Sequence, residues 1–151
     1  PTPKAIVRQM LAAAGLRRGE VLFDLGAGDG RILVEAVRKF GAKAVGIEID
    51  PERIAQIKGK LKSTGTEATL IHADFMAVDL SSADVVAIYL SETVNAKLEP
   101  KLARELKTGA RVISLDYALP GWVAERELLA KAAGLDRKLY LYRVPSKGVA
   151  Q

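Results

Sequence analysis

The sequence predicts an α/β fold built on a mostly parallel sheet with helices on both faces. Two observations predict it. Short, near-continuous apolar runs alternate with stretches of helical periodicity along most of the 151 residues, the pattern of parallel strands buried on both sides. A glycine-rich turn, Gly26-Ala27-Gly28-Asp29-Gly30, also joins the first apolar run, Val21-Leu22-Phe23, to the helical pattern after it. A strand–turn–helix unit near the start of an open α/β sheet is where nucleotide-like ligands bind.

Each element follows from its own residues. Ile6, Val7, Met10, Leu11 and Ala14 share one helical face and Gly15 stops it, so a helix is expected over about 3–15. A strand over about 20–25 enters the glycine turn, and a helix over about 30–40 ends at Gly41. A second strand covers 44–49. Asp50-Pro51 then supplies an N-cap and a first-turn proline for a helix over about 51–63. Strands at 68–72 and 84–90, a helix over about 94–106 and a strand at 111–116 follow. Residues 139–144 alternate and are aromatic, which predicts a strand. Tyr140 and Tyr142 lie two apart on it, share a face and read as packing residues. Residues 122–132 are open between a helix, which Ala, Glu and Leu favour, and an edge strand. With no repeat, linker or low-complexity segment, residues 1–151 read as one domain.

Composition narrows the function. Hydrophobic residues make up 49% and charged residues 27%, which excludes a disordered chain. No apolar run approaches the ~20 residues of a membrane span, and no charged-then-apolar leader is visible, so a cytoplasmic protein is expected. The chain opens on Pro1 rather than Met, which is compatible with a preceding segment. The absence of cysteine excludes disulfides and thiolate metal sites, and one histidine leaves little for zinc, so no metal is expected. The net charge of +5 and pI near 9.5 suit either a soluble basic surface or an acidic partner such as nucleic acid. The basic residues are spread along the chain, which favours the plain surface. High charge without cysteine is also compatible with a thermophile.

The glycine spacing selects the ligand. A dinucleotide site has G-x-G-x-x-G; here glycines stand at 26, 28 and 30, and Asp24 sits two residues before the first. An acid ending the strand repels a pyrophosphate and suits an ammonium group. S-adenosylmethionine has an amino acid, a sulfonium and an adenosine but no phosphate, and it is the expected cofactor.

This order of strand, glycine turn, helix, strand and acid resembles the class I S-adenosylmethionine-dependent methyltransferases over nearly the whole chain. The resemblance implies a Rossmann-like sandwich with a mostly parallel seven-stranded sheet and a C-terminal antiparallel hairpin. Asp24, Gly26, Ala27, Gly28 and Gly30 match the family's first motif. Glu48, followed by Ile49, matches the acid that accepts from both ribose hydroxyls, and Asp74-Phe75 match the adenine-binding motif. Taken singly, each also has a structural reading: Asp24 as a turn cap, Glu48 as a solvated strand end, Asp74 as a helix cap. A narrower resemblance rests on the opening Pro1-Thr2-Pro3, on Tyr89-Leu90-Ser91-Glu92, on Asn95 through Leu102, on Val112 through Tyr117 with Gly121-Trp122, and on Tyr140-Leu141-Tyr142. These are similar to small protein-lysine methyltransferases of archaea and their mitochondrial relatives. That likeness implies that Thr2 and Pro3 fold over the cofactor, and it favours a strand at about 122–129.

The end of the fourth strand faces the methyl group in that fold. Many enzymes that methylate the amino nitrogens of nucleobases or glutamine place Asp/Asn-Pro-Pro-Tyr there, whereas this chain has Tyr89-Leu90-Ser91-Glu92. The departure disfavours base methylation and is compatible with a lysine amine. In-line displacement needs the nitrogen held about 3–3.5 Å from the methyl carbon, and it needs the amine neutral, against a free pKa of about 10.4. Tyr89 is expected to line an aromatic channel and orient the amine. Glu92 or Asp116 would attract the ammonium and pass its proton to water, and Asn95 would hold the substrate backbone or Glu92. Structural alternatives are sheet packing for Tyr89, helix capping for Glu92 and a turn for Asp116. His72 lies on the adenosine side and is not expected to be a base, and Trp122 reads as core. The expected activity is methyl transfer to exposed protein lysines with broad substrate choice, by a monomer. An RNA methyltransferase and a non-catalytic cofactor-binding subunit are the alternatives.

Overall fold

The structure, a computed structural model, describes residues 2–146. The helices are α1 (Lys4–Ala13), α2 (Arg31–Phe40), α3 (Pro51–Thr64) and α4 (Glu92–Glu105). The strands are β1 (Val21–Leu25), β2 (Lys43–Glu48), β3 (Thr69–His72), β4 (Val85–Ile88), β5 (Arg111–Leu115), β6 (Arg126–Ala132) and β7 (Leu135–Arg143). They form a seven-stranded sheet in the order β3-β2-β1-β4-β5-β7-β6. The first five strands run parallel, and β7 is antiparallel to both β5 and β6. The expected parallel sheet with a terminal hairpin is therefore present.

Two apolar layers flank the sheet. Ile6, Val7, Met10 and Leu11 of α1 and Leu33 and Ala36 of α2 pack with Ile57 of α3 on one side. Leu98 and Leu102 of α4 pack with Val86, Ile88, Val112 and Tyr142 on the other. Helix α2 comes so close that a Cβ on Gly46 of β2 would lie 2.6 Å from Leu33 Cδ1. The strand order reverses between β1 and β4, and the crevice at that reversal lies at the strands' C-terminal ends.

Strand β7 starts at Leu135 rather than 139, and α4 at Glu92 rather than 94; two further boundaries differ from expectation for clear local reasons. Strand β4 ends at Ile88 rather than at 90, and Ser91 leaves the sheet to cap α4, accepting from Val94 N at 3.2 Å. The strand expected over 122–129 begins at Arg126 and continues to Ala132. Its start is delayed because the turn at Pro120-Gly121 is still being closed: Gly121 N donates to Glu99 Oε2 at 2.9 Å and Trp122 N to Leu119 O at 3.1 Å. Helix propensity is overridden there because pairing with β7 buries Ala130 against Leu139 and Leu141. Trp122 is half-buried, edge-on to Tyr142 at 6.1 Å, in keeping with a core role. Tyr140 and Tyr142 both pack on the α4 side. Among the described residues no helix is long and apolar enough to cross a membrane.

Candidate active site

A cleft of about 700 Å³ opens at the C-terminal ends of β1 and β4, lined by Thr2, Asp24, Gly26, Ala27, Gly28, Asp29, Arg31, Asp50, Arg53 and Tyr89 among others. Its floor is the glycine turn. Gly26, Gly28 and Gly30 take φ of 76°, 60° and 85°, a region costly for any side chain. The turn is held by strand β2: Gly26 N and Ala27 N donate to Ile47 O at 2.8 and 3.0 Å.

Glu48 completes that anchorage. It is buried, and Oε1 accepts from Gly28 N at 2.9 Å while Oε2 accepts from Ile49 N and Asp50 N at 3.1 and 3.0 Å. A carboxylate has about four acceptor sites, so one lone pair, on Oε1, remains for a ligand hydroxyl. The solvated-strand-end alternative does not apply to it.

Asp24 is 3% exposed, and among the described residues its carboxylate meets no hydrogen-bond donor or cation. Burial first, then the neighbouring Glu48 and Asp29, push its pKa up to about 7. A buried, unpaired acid facing a cleft is a site for a cation, and beside it the bare glycine backbone permits close approach. These features fit the amino-acid end of S-adenosylmethionine and would oppose a phosphate.

The start of the chain closes one side. Pro3 is the N-cap residue of α1, and Ile6 N and Val7 N donate to Pro3 O at 3.0 and 3.1 Å. Thr2 O accepts from Arg31 Nη1, and Arg31 also grips Asp29 through Nε and Nη2 at 2.6–3.2 Å. Arg31 was not singled out from the sequence; its ion pair with Asp29 spans two residues and was legible in principle.

Beyond β3, Asp74 Oδ1 caps a short 3-10 turn (Phe75–Ala77), accepting from Met76 N at 2.9 Å. Asp74 and Phe75 do not line the cleft; Ala73 N, donating to Glu48 O at 3.1 Å, ties them to its rim. Ile49 is 62% exposed and its carbonyl pairs with His72 Nε2 at 3.0 Å.

On the other side stands an aromatic pair. Tyr89 is 48% exposed at the end of β4, and Tyr117, 42% exposed after β5, stacks on it with centroids 6.5 Å apart. The Arg137 guanidinium lies 5.3 Å from the Tyr89 ring centroid. Asp116 does not offer a free carboxylate: Arg137 holds it through Nε and Nη2 at 2.6–3.0 Å. Asn95 is fully buried and donates from Nδ2 to Tyr117 O and Ala118 O at 3.2 and 3.0 Å, so it holds this loop rather than Glu92. Glu92 is exposed on the first turn of α4, whose cap is Ser91.

The family model of the ANTKMT methyltransferase domain matches residues 24–126. The chain is 38% identical over 145 residues to a protein-lysine N-methyltransferase of Saccharolobus islandicus, covering 94% of this chain and 90% of that one. It is 32% identical over 152 residues to the adenine nucleotide translocase lysine N-methyltransferase of Mus musculus, covering 98% of this chain and 65% of the mouse protein. A crystal structure of an RNA methyltransferase from Salinibacter ruber with S-adenosyl-L-homocysteine superposes with a TM-score of 0.91 at 36% identity, covering 100% and 97% of the two chains.

Proposed function

Because the chain belongs to the family of the ANTKMT methyltransferase domain, whose cofactor is S-adenosylmethionine, we propose that it methylates the ε-amine of protein lysines. The observation that carries this reading is the exposed ring of Tyr89, which lines the cofactor cleft and has a cation lying against it. An aromatic face attracts a cation, so this rim suits a flexible ammonium side chain. The lysine methyltransferases among the relatives support the same choice.

When bound, the cofactor supplies an electrophilic methyl on a sulfonium. Asp24 would hold its ammonium, the free lone pair of Glu48 a ribose hydroxyl, and Asp74 with Phe75 the adenine, while Thr2 and Pro3 cover one side. Tyr89 lines the acceptor path, and its ring face steadies the incoming ammonium in line with the methyl group. With the Asp116 carboxylate occupied by Arg137, Glu92 is the exposed acid left to draw in the ammonium and pass its proton to solvent. We further read the chain as one monomeric domain acting on cytoplasmic proteins.

The Salinibacter ruber structure, an RNA methyltransferase by name, and the pI near 9.5 give the second reading. Transfer of labelled methyl into a cell extract, followed by protease or ribonuclease, separates the two. Label lost to protease and recovered as methyl-lysine by mass spectrometry is expected. Label lost to ribonuclease would establish RNA as the substrate.

A further inference from the structure

We propose that Arg137 and Asp116 are a positioning pair that holds Tyr117 against Tyr89, and that the two rings together form the wall receiving the acceptor amine. This rests on the lysine reading above.

The backbone points to it first. Asp116 has φ of 67°, which is uncommon for a residue other than glycine. Such a conformation persists where the surroundings over-determine it, and it clusters at ligand sites. Here three elements impose it. From β7, Lys138 O accepts from Asp116 N at 2.8 Å and Arg137 grips the carboxylate. From α4, Asn95 Nδ2 binds the next two carbonyls, and from β5, Ser114 Oγ donates to Tyr117 O. Asn95 and Ser114 are fully buried, so this is an internal brace for an exposed turn.

What the brace presents is Tyr117. Its ring lies within 14° of parallel to Tyr89, and both residues keep more than 40% of their surface in solvent, so neither serves mainly as core. Tyr89 reaches the cleft and Tyr117 does not line it, so Tyr117 extends the same aromatic surface outward along the approach. Arg137 packs on Tyr89 while Asp116 cancels its charge. An incoming ammonium therefore meets aromatic faces without an uncompensated cation beside them. No residue within Tyr89-Leu90-Ser91-Glu92 performs this task.

The test uses the full chain with a methyl-accepting lysine protein, and the variants Asp116→Asn, Arg137→Lys, Tyr117→Leu and Tyr117→Phe. Asn tolerates the same backbone conformation, so Asp116→Asn removes the ionic grip without forcing the turn. Asp116→Asn and Tyr117→Leu should each lower kcat/KM for the lysine substrate on the order of 10- to 100-fold, chiefly through acceptor KM, with cofactor Kd unchanged. Arg137→Lys, which keeps the charge but not the fork, should fall between, and Tyr117→Phe should retain most activity. Without cofactor, the near-ultraviolet circular dichroism of the tyrosine pair should weaken in Asp116→Asn as it does in Tyr117→Leu. Wild-type acceptor KM in Asp116→Asn and Tyr117→Leu, beside a wild-type enzyme that does produce methyl-lysine, would overturn the positioning role alone. No methyl-lysine from the wild-type protein would overturn the lysine reading and this proposal with it.

Discussion

At the N-terminal ends of β1, β4 and β5, Glu20 accepts from Arg111 Nη1 and Nη2 at 2.9 and 2.7 Å, and Asp84 takes Lys107 Nζ at 2.7 Å. At the C-terminal end of β1, Asp24 is more deeply buried than Glu20 and meets no cation among the described residues. The hydrogen bond from Arg111 holds Glu20 down to about 2. Burial would raise Asp84, but Lys107 and the Val21 N–H outweigh it and keep it low. Burial pushes Asp24 up to about 7. One chemical group thus stands in two settings: closed into ion pairs below, it fastens strands together, and unpaired above, its burial works against stability once it ionises, which suits the cofactor-binding role proposed for it.

The largest effect is expected from breaking the lower end. Arg111 also donates to Ala14 O and Gly15 O, both at 2.9 Å, so it ties β5 to the segment after α1. Arg111→Ala leaves Glu20 with only its contacts to Arg17 and strips the guanidinium from two carbonyls, and should cost about 3–5 kcal/mol in urea unfolding. Cofactor affinity, measured below the unfolding transition, should hold.

Asp24→Asn should do the reverse. The native protein binds a proton at Asp24 that the unfolded chain has released between about pH 4 and 7, so this residue's contribution to stability falls as pH rises through that window. At pH 8 and without cofactor, Asp24→Asn should be more stable than wild type, by up to about 4 kcal/mol. Its affinity for S-adenosylmethionine should drop about 10- to 100-fold by calorimetry. A variant that loses stability and keeps affinity would mean that the acid is structural.

The pH profiles sharpen the contrast without any substitution. Cofactor affinity should rise by up to about tenfold per pH unit below 7, as Asp24 ionises, and level off above. Glu20 acts oppositely, because its folded value lies below the ordinary 4.5. Its stabilising contribution is full above about pH 4.5 and is lost as pH falls toward 2. Acid unfolding followed by circular dichroism, beside calorimetry from pH 5 to 9, would place the two transitions in separate windows.

The upper end was the more legible in sequence, because it is local. The glycines, Asp24, Glu48 and Tyr89 sit at strand ends or in one turn; spacing picked out the glycines and Asp24, and the family resemblance added Glu48 and Tyr89. Two things escaped. Arg137 lies 21 residues from Asp116 and reaches it only through the antiparallel register of β5 and β7. Strand β6 was expected from the family resemblance alone, because its composition is helix-prone and it becomes a strand by pairing with β7. The lone pairs of Glu48 are mostly taken by backbone N–H groups, which no side-chain pattern reveals.

The smallest effect tests whether any acid at the upper rim behaves like Asp24. Asp50 lines the same cleft, but its Oδ1 accepts from Glu52 N at 2.9 Å and caps α3, and Arg53 Nε lies 3.9 Å from Oδ2. It is therefore an upper-end carboxylate with a lower-end job. Asp50→Ala should cost about 1 kcal/mol of stability and shift cofactor affinity less than threefold, and Asp50→Ser should recover most of the stability. If Asp50→Ala instead weakened the cofactor as far as Asp24→Asn does, binding would belong to the whole acidic rim. The unpaired burial of Asp24 would then no longer single it out.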